Sequence, residues 1–285
     1  MFDVCVVGSA NLDLVAEVDR LPGPGETVPG HSYAEYPGGK GLNQAVAAAR
    51  SGASTSFVGC VGRDAASAVV LDVMAGDGID TSRVATVDEP TGRALIGVAA
   101  SGENSIIVVA GANRLVEAGD IPPARVVLTQ LEVPLAAVQV ALAAGRAMGA
   151  ITVLNPAPAR PLPESLLALC DIVVPNEYEA ELMGGAAHLL ALGASAVVVT
   201  LGKRGADLHT TEGVVHIDPF AVTPVDTTAA GDSFSGSLCA RLAAGDPLGT
   251  ALRFAAAAGA LCTTRRGAVP SIPHRAEIDR LLSAG

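Results

Sequence analysis

The hydrophobic pattern changes period several times along the chain, and those changes mark out the elements. Residues 2–8 form a short apolar run of strand length centred on Val4-Cys5-Val6-Val7. Over residues 14–37 helical periodicity is absent. Short β-like pieces at 14–18 and 32–36 alternate there with Pro22-Gly23-Pro24-Gly25 and Pro29-Gly30. Residues 45–50 read as a helix with Gly52 as its stop. Apolar runs at Phe57-Val58 and Val126-Val127-Leu128 then alternate with helical stretches at 65–75 and 135–148. A second β-rich interruption, residues 94–99 and 105–110, is joined by the turn Ser101-Gly102-Glu103-Asn104. Strand-like runs return at 171–175 and 196–200, followed by an Ala-rich helix at 249–261 and a closing surface helix at 275–282. This alternation predicts an α/β fold with a mainly parallel sheet. The two hairpin-like inserts, about 12–37 and 92–110, predict a small sheet beside the main one. A sheet with an exposed face needs a partner, either substrate or a second subunit. No repeat, low-complexity tail or linker divides the chain, so residues 1–285 read as one domain.

Composition narrows the class. Half of the 285 residues are hydrophobic and 16% are charged, which permits a large core and argues against global disorder. A net charge of −11 argues against nucleic acid and anionic membrane as main partners. It leaves a small anion open, because such a ligand answers to local helix termini and a few Lys or Arg. Cys5, Cys60, Cys170, Cys239 and Cys262 are scattered without a C-x-x-C pair, as expected of buried thiols in a reducing cytoplasm. The N-terminus enters a strand directly, without a basic region and apolar core of signal-peptide type. No uncharged apolar run reaches the ~20 residues of a membrane span. A soluble cytoplasmic protein is expected.

Candidate chemistry centres on Asp226-Thr227-Thr228-Ala229-Ala230-Gly231-Asp232-Ser233-Phe234-Ser235-Gly236. Phe234, Leu238 and Leu242 lie at i, i+4 and i+8, one face of a helix, so Asp232 falls near its first turn. Unpaired backbone N–H groups at a helix start make an anion site, and Gly231 admits close approach. A carboxylate there would repel a resting phosphate, but it suits a base facing an incoming hydroxyl in phosphoryl transfer. The plain alternative is that Asp232 is a helix N-cap.

Further polar groups sit where the strands of an open α/β sheet end, the usual ligand edge. Asn11 and Asp13 follow the first strand and flank Leu12. They suit a polyhydroxylated ligand, although taken alone turn formation is the better explanation. Gly38-Gly39-Lys40-Gly41-Leu42-Asn43-Gln44 leads into a helix; it is not a P-loop, because Gly41 stands where Ser or Thr would follow the Lys. Gln130-Leu131-Glu132 and Asn155-Pro156-Ala157-Pro158 end two later strands. Asn176 with Glu179 three residues on is a capping box, and a magnesium-linked role is compatible with it. Thr200-Leu201-Gly202-Lys203-Arg204-Gly205 could cradle a nucleotide or form an ordinary hairpin turn.

Together with Gly8-Ser9-Ala10-Asn11-Leu12-Asp13 and residues 264–271, these segments resemble the ribokinase family of carbohydrate kinases, which also contains fructokinases and adenosine kinases. The resemblance spans nearly the whole chain. The Gly-Lys-Gly-x-Asn-Gln and Ala-Ala-Gly-Asp forms are more similar to ribokinases than to the other members. It implies a three-layer α/β/α domain with a small β-sheet lid, and ATP-dependent phosphorylation of the ribose 5-hydroxyl. It implies Asp232 as base, with the N–H groups of Ala229, Ala230 and Gly231 as an anion hole for the γ-phosphoryl. It places the sugar on Asn11, Asp13, Gly39, Lys40, Asn43 and Glu132. ATP and Mg2+ would be served by Asn176, Glu179, Thr200, Gly202 and Gly205. An activating K+ would lie on Asp226 and Ser271 by side chain, and on Thr228, Cys262, Arg265 and Gly267 by backbone oxygen. The lid would close over the sugar and pair with a second subunit in a homodimer.

Three departures from the family pattern stand out, of which the first two bear on the nucleotide side. The chain is shorter between Met183 and Ala187, Ala255-Ala256 replace a frequent Asn or His, and Ser235 replaces a frequent Asn. The competing expectations are a kinase for another sugar or a nucleoside, and a non-catalytic sugar-binding regulator on the same fold. An aromatic content of 3% offers little for stacking a nucleoside base.

Overall fold

A computed structural model describes residues 1–284. The first half of the chain runs β1 (Phe2–Val7), β2 (Asn11–Val18), β3 (Gly30–Gly38), α1 (Lys40–Arg50), β4 (Thr55–Gly62), α2 (Ala65–Gly76) and β5 (Asp80–Val87). It continues through β6 (Gly92–Ala99), β7 (Asn104–Val109), β8 (Ala124–Thr129), α3 (Leu135–Ala147) and β9 (Ile151–Leu154). After α4 (Glu164–Leu167) and β10 (Ile172–Val173) come α5 (Glu177–Leu182), α6 (Ala186–Ala191), β11 (Ala196–Thr200), β12 (Ala206–Thr210) and β13 (Gly213–Ile217). The chain closes with α7 (Ala230–Ala243), α8 (Leu248–Cys262) and α9 (Arg275–Ala284).

Nine strands form the main sheet among the described residues, in the order β13-β12-β11-β10-β9-β8-β1-β4-β5. It is parallel from β11 to β5, with β12 and β13 added antiparallel at one edge. Parallel strands covered on both faces read as unbroken apolar runs, which is why Val4-Cys5-Val6-Val7 does not alternate with polar residues. Its side chains nevertheless part to two cores. Val4 and Val6 join Phe57, Leu42, Met74, Leu238 and Leu252 on the side of α1, α2, α7 and α8. Cys5 and Val7 join Val138, Leu142, Leu166 and Leu189 on the side of α3, α4 and α6. The result is the expected three-layer α/β/α arrangement.

The two β-rich inserts form a second sheet in the order β3-β2-β6-β7. Each insert is an antiparallel hairpin, and the two are joined by parallel pairing of β2 with β6. β7 is exposed along its whole length, with Ile106, Ile107, Val108 and Val109 each more than half exposed. The opposite end of β2 is buried at Asn11, Leu12 and Asp13, where the small sheet springs from the carboxyl edge of the large one.

Two local features depart from the sequence reading. α1 begins at Lys40, not Ala45, so Lys40-Gly41-Leu42-Asn43-Gln44 is helix instead of loop. Its N-cap Gly39 sits at φ 90°, open to glycine at little cost, and a Cβ at Gly41 would lie 2.5 Å from Ser9 N. The helix start is thus pressed against the β1–β2 turn. β5 was not visible as a strand because its sequence, Asp80-Thr81-Ser82-Arg83-Val84-Ala85-Thr86-Val87, is that of a polar edge. The short segment at 183–187 is a tight link: Met183 closes α5, and Gly184 and Gly185, both at φ 86°, lead into α6.

Candidate active site

Asp232 lies in the first turn of α7 and is 6% exposed. It is not the N-cap. Ala229 holds that position, in the left-handed region at φ 60° and ψ 7°, without a side-chain cap bond. Ala229 is the one non-glycine residue with positive φ among the described residues, a strain of order 1–3 kcal/mol that marks functional turns. Freed from capping, the Asp232 carboxylate accepts from Asn43 Nδ2 at 3.0 Å and from Gln44 Nε2 at 2.8 Å. α7 can reach α1 this closely because Gly236 has no side chain; a Cβ there would clash with Gln44 O and lie 2.7 Å from the Ala47 Cβ.

One side of Asp232 is built from buried side chains. Asn11 Oδ1 accepts from Asn113 Nδ2 at 2.7 Å, which leaves the Asn11 amide N–H groups for a ligand. Asn113, in a 3-10 turn after β7, also accepts from Ala10 N at 3.0 Å and so clamps the β1–β2 turn. Glu132 Oε2 accepts from Ser9 Oγ at 2.6 Å and Lys40 N at 3.0 Å. Asp13 is pushed up to about 7, by burial first and then by the charges of Glu132 and Asp232. Asn43 Oδ1 is buried without a hydrogen-bond partner, as befits an acceptor meant for a ligand hydroxyl.

On the other side of Asp232 opens a cleft of about 600 Å³. Its walls include Thr227, Ala229, Ala230 and Gly231 from the turn into α7, Asn176 and Glu179 from the start of α5, Thr200 and Gly202 after β11, and Asn155 and Ser235. The Ser235 hydroxyl is fully buried and unpartnered at this wall. Lys40 also faces this cleft, not the sugar side alone. Burial opposes its ammonium charge, but Asp232, Glu132 and Glu179 outweigh it and hold its pKa above the usual Lys value. Gly205 is not among the lining residues; it turns at φ 90° against Ile217 O.

The predicted capping box at α5 is present: Glu179 N donates to Asn176 Oδ1 and Asn176 N to Glu179 Oε2, both at 2.8 Å. Burial raises the Glu179 pKa against the lowering effect of that N–H and of Lys40. One carboxylate oxygen, Oε1, is left toward the cleft. That suits a hard cation, which takes oxygen donors, often through water.

The loops carrying the expected K+ ligands are brought together. Asp226 accepts from Thr228 N at 2.9 Å, Thr228 Oγ1 at 2.7 Å and Gly267 N at 2.9 Å. Burial works to raise its pKa, but these hydrogen bonds prevail and hold it below the usual carboxylate value. Cys262 Sγ lies 3.0 Å from Ser271 Oγ and 3.5 Å from Thr228 O. The donors are carboxylate, hydroxyl and carbonyl oxygens, a hard set that fits an alkali cation and would not select a soft metal. Among the described residues no group of three or more His, Cys, Asp or Glu could hold a metal by side chains alone. Arg265 pairs with Glu277 through its side chain, leaving only its carbonyl for such a role.

Sequence reasoning quoted Gln44, Gln130, Asn155 and Ser9 within motifs but gave them no role, and it passed over Asn113. The signal for Gln44 was an amide leading an otherwise apolar helix face. Asn113 gave none, since it sits alone in a loop.

Residues 1–275 match the pfkB family of carbohydrate kinases. A ribokinase of Haemophilus influenzae is 41% identical over 293 residues, covering 95% of this chain and 95% of its own. A ribokinase of Staphylococcus aureus is 39% identical, covering 98% and 99%. The structure of Arabidopsis thaliana ribokinase complexed with ribose and ATP superposes with a TM-score of 0.91 at 34% identity, covering 99% of this chain and 98% of that one.

Proposed function

The chain belongs to the pfkB family of carbohydrate kinases, and from that premise we propose that it transfers the γ-phosphoryl group of ATP to the 5-hydroxyl of D-ribose. The observation that carries this reading is the placement of Asp232 between a cluster of buried polar side chains and an open cleft. It sits at the start of α7, gripped by two amides, with buried polyol-type donors and acceptors near it and a cleft of about 600 Å³ that it helps to line.

The chemistry follows from that placement. Ribose hydroxyls engage Asp13, Asn11, Asn43 and the free oxygen of Glu132, with Gly39 permitting close approach. The 5-hydroxyl then lies against Asp232, which takes its proton as the oxygen attacks phosphorus. Negative charge spreading over the transferred group is met by N–H groups of Ala229, Ala230 and Gly231, by the α7 dipole and by Lys40. Asn176, Glu179, Thr200 and Gly202 hold the nucleotide end, with Gly205 shaping the turn behind it. Mg2+ bound through the Glu179 side would supply charge neutralisation of the phosphates. K+ on the Asp226, Thr228, Cys262, Arg265, Gly267 and Ser271 oxygens would supply positive charge behind the anion hole. The small sheet acts as a lid that excludes water, and its apolar β7 row pairs with a second copy as a homodimer. The enzyme works in the cytoplasm, where its five buried, unpaired cysteines remain reduced. Its net charge of −11 leaves nucleic acid and anionic membrane out of its partners. No helix among the described residues is long and apolar enough to cross a membrane.

The test is ATP consumption by purified protein with magnesium across ribose, deoxyribose, fructose and adenosine, each in potassium or sodium. Ribose-dependent turnover that potassium raises is the expected result. Preference for another acceptor would overturn the sugar assignment while keeping Asp232, and ribose binding without turnover on any acceptor would overturn the kinase reading.

A further inference from the structure

Behind Asp232 a chain of buried amides runs from Gln130 through Gln44 to Asn155 at the cleft wall. Gln44 is fully buried at the centre of it. Its Nε2 donates to Asp232 Oδ1 at 2.8 Å and to Asn155 Oδ1 at 3.0 Å. Its Oε1 accepts from Gln130 Nε2 at 2.7 Å. Asn155 is fixed in turn, because its Nδ2 donates to Val174 O at 2.9 Å.

The donor and acceptor inventory allows only one orientation of the Gln44 amide. Rotated by 180°, its oxygen would face both a carboxylate oxygen and the Asn155 carbonyl, and its NH2 would face the Gln130 NH2. The two Asp232 oxygens are therefore unlike. Oδ1 is held by a side chain with no exposure to either ligand. Oδ2 is met only by Asn43 Nδ2, whose own Oδ1 has no partner.

We propose that Gln44 is the positioning residue of the phosphoryl transfer: by locking Oδ1 it commits Oδ2 to receive the acceptor proton. The inference rests on the kinase reading above. Asn43 bonds Oδ2 in this structure, and it yields that oxygen to the hydroxyl when sugar binds. Through Asn155 the same amide is anchored to the wall of the nucleotide cleft, so the base keeps one direction relative to both the sugar and the incoming phosphoryl. Restricting the base to one oxygen and one direction is the kind of alignment whose loss lowers the chemical rate while leaving binding intact.

Two variants test this, assayed on whichever sugar the wild type turns over. Gln44→Met keeps the length and removes every donor. Its kcat is expected to fall about 10²-fold, with the sugar KM within about threefold. Gln44→Glu adds a readout that a packing role would not produce. When protonated, the new carboxyl can still donate to Asp232 Oδ1; when ionised, it repels it. Its pKa is raised by burial and by Asp232. The other charges facing Asp232 are Asp13 from β2, Glu132 beyond β8 and Glu179 from α5, with Lys40 of α1 as the cation. The Cys262 thiol of α8 is pushed up to about 11 and stays neutral. The expected result is that kcat of Gln44→Glu, relative to wild type, falls as pH rises. Unchanged kcat in Gln44→Met, or a parallel pH profile in Gln44→Glu, overturns the inference. If Gln44→Met fails to fold, the Gln44→Glu profile decides alone, since its shape against the wild-type profile does not depend on how much of either protein is active. A wild type active beside an active Gln44→Met sinks only the positioning role; a wild type inactive on every sugar sinks both readings.

Discussion

The two sides of Asp232 are made of different material. On the sugar side, side chains from three distant segments converge. Asn11 and Asp13 come from β2, Asn43 from α1, and Glu132 from beyond β8, each buried or partly buried and most tied by named partners. On the phosphate side the wall includes Gly202 and the turn into α7, where Ala229, Ala230 and Gly231 have no polar side chain to offer beside their backbone. A polyol is recognised by hydroxyl direction, which needs side chains at fixed angles. A phosphoryl group is recognised by charge, which oriented N–H groups supply whatever residue carries them. Substitution should therefore act through residue identity on the first side and through backbone shape on the second.

Asp232 belongs to both sides and gives the largest expected effect. Asp232→Asn keeps the shape but removes the base and leaves one acceptor oxygen for the two amide donors, so turnover should drop roughly 10²–10⁴-fold or more. Ribose binding, read by calorimetry, should persist. Retained turnover would show that the proton leaves by another route and that Asp232 only orients the sugar.

The backbone claim is sharpened at Ala229. Val is a steric outlier at φ 60°, so Ala229→Val should cost about 1–3 kcal/mol. It should also lower kcat about tenfold or more by opening the turn, since one lost N–H donor at such a site costs at least that much. Ala229→Gly, which adopts this φ freely, should keep kcat within about threefold. If Val and Gly behaved alike, the anion site would not depend on this turn.

A subtler effect concerns Asp13 on the sugar side. Its folded-state pKa of about 7 lies above the ordinary value of 3.8. A group raised in the folded state adds stability that is complete below the unfolded pKa and is lost as pH rises through the folded one. Wild-type melting temperature, compared with that of Asp13→Asn, should thus decline between about pH 4 and pH 7 and change little above it. A constant difference across that window would place Asp13 in a more solvated setting than the burial indicates.

This division also governs how much could be read from the sequence. The parallel sheet was legible because strands covered on both faces must be uniformly apolar, as at Val4 to Val7. The start of α1 was not. Three glycines around Lys40 look like a loop, and only the contact with Ser9 explains why a helix needs Gly41 there. Asp232 stood out behind a run of small residues, Asp13 and Glu132 as carboxylates at strand ends, and the family resemblance then grouped them. Their supports did not stand out: Asn113 and Gln130 are ordinary amides in sequence, and their importance arises only from which atoms they meet across the fold. At Asn176 and Glu179 the capping box was read correctly, and the spacing was silent on whether the compatible magnesium-linked role is used. A capping box satisfies helix N–H groups whether or not a ligand lies beyond it.

That silence sets the smallest of the expected effects, and the one that separates structure from function most finely. Asn176→Ala removes the cap acceptor and should cost about 1 kcal/mol of stability. A cap alone would stop there, with kinetics unchanged. If Asn176 also serves the nucleotide, the ATP KM should rise severalfold while the ribose KM stays fixed, because Asn176 lines the cleft and is remote from Asn11 and Asp13. A fall in melting temperature without any change in ATP KM would confine the motif to holding α5. The backbone of the phosphate side would then carry nucleotide recognition with still less help from side chains.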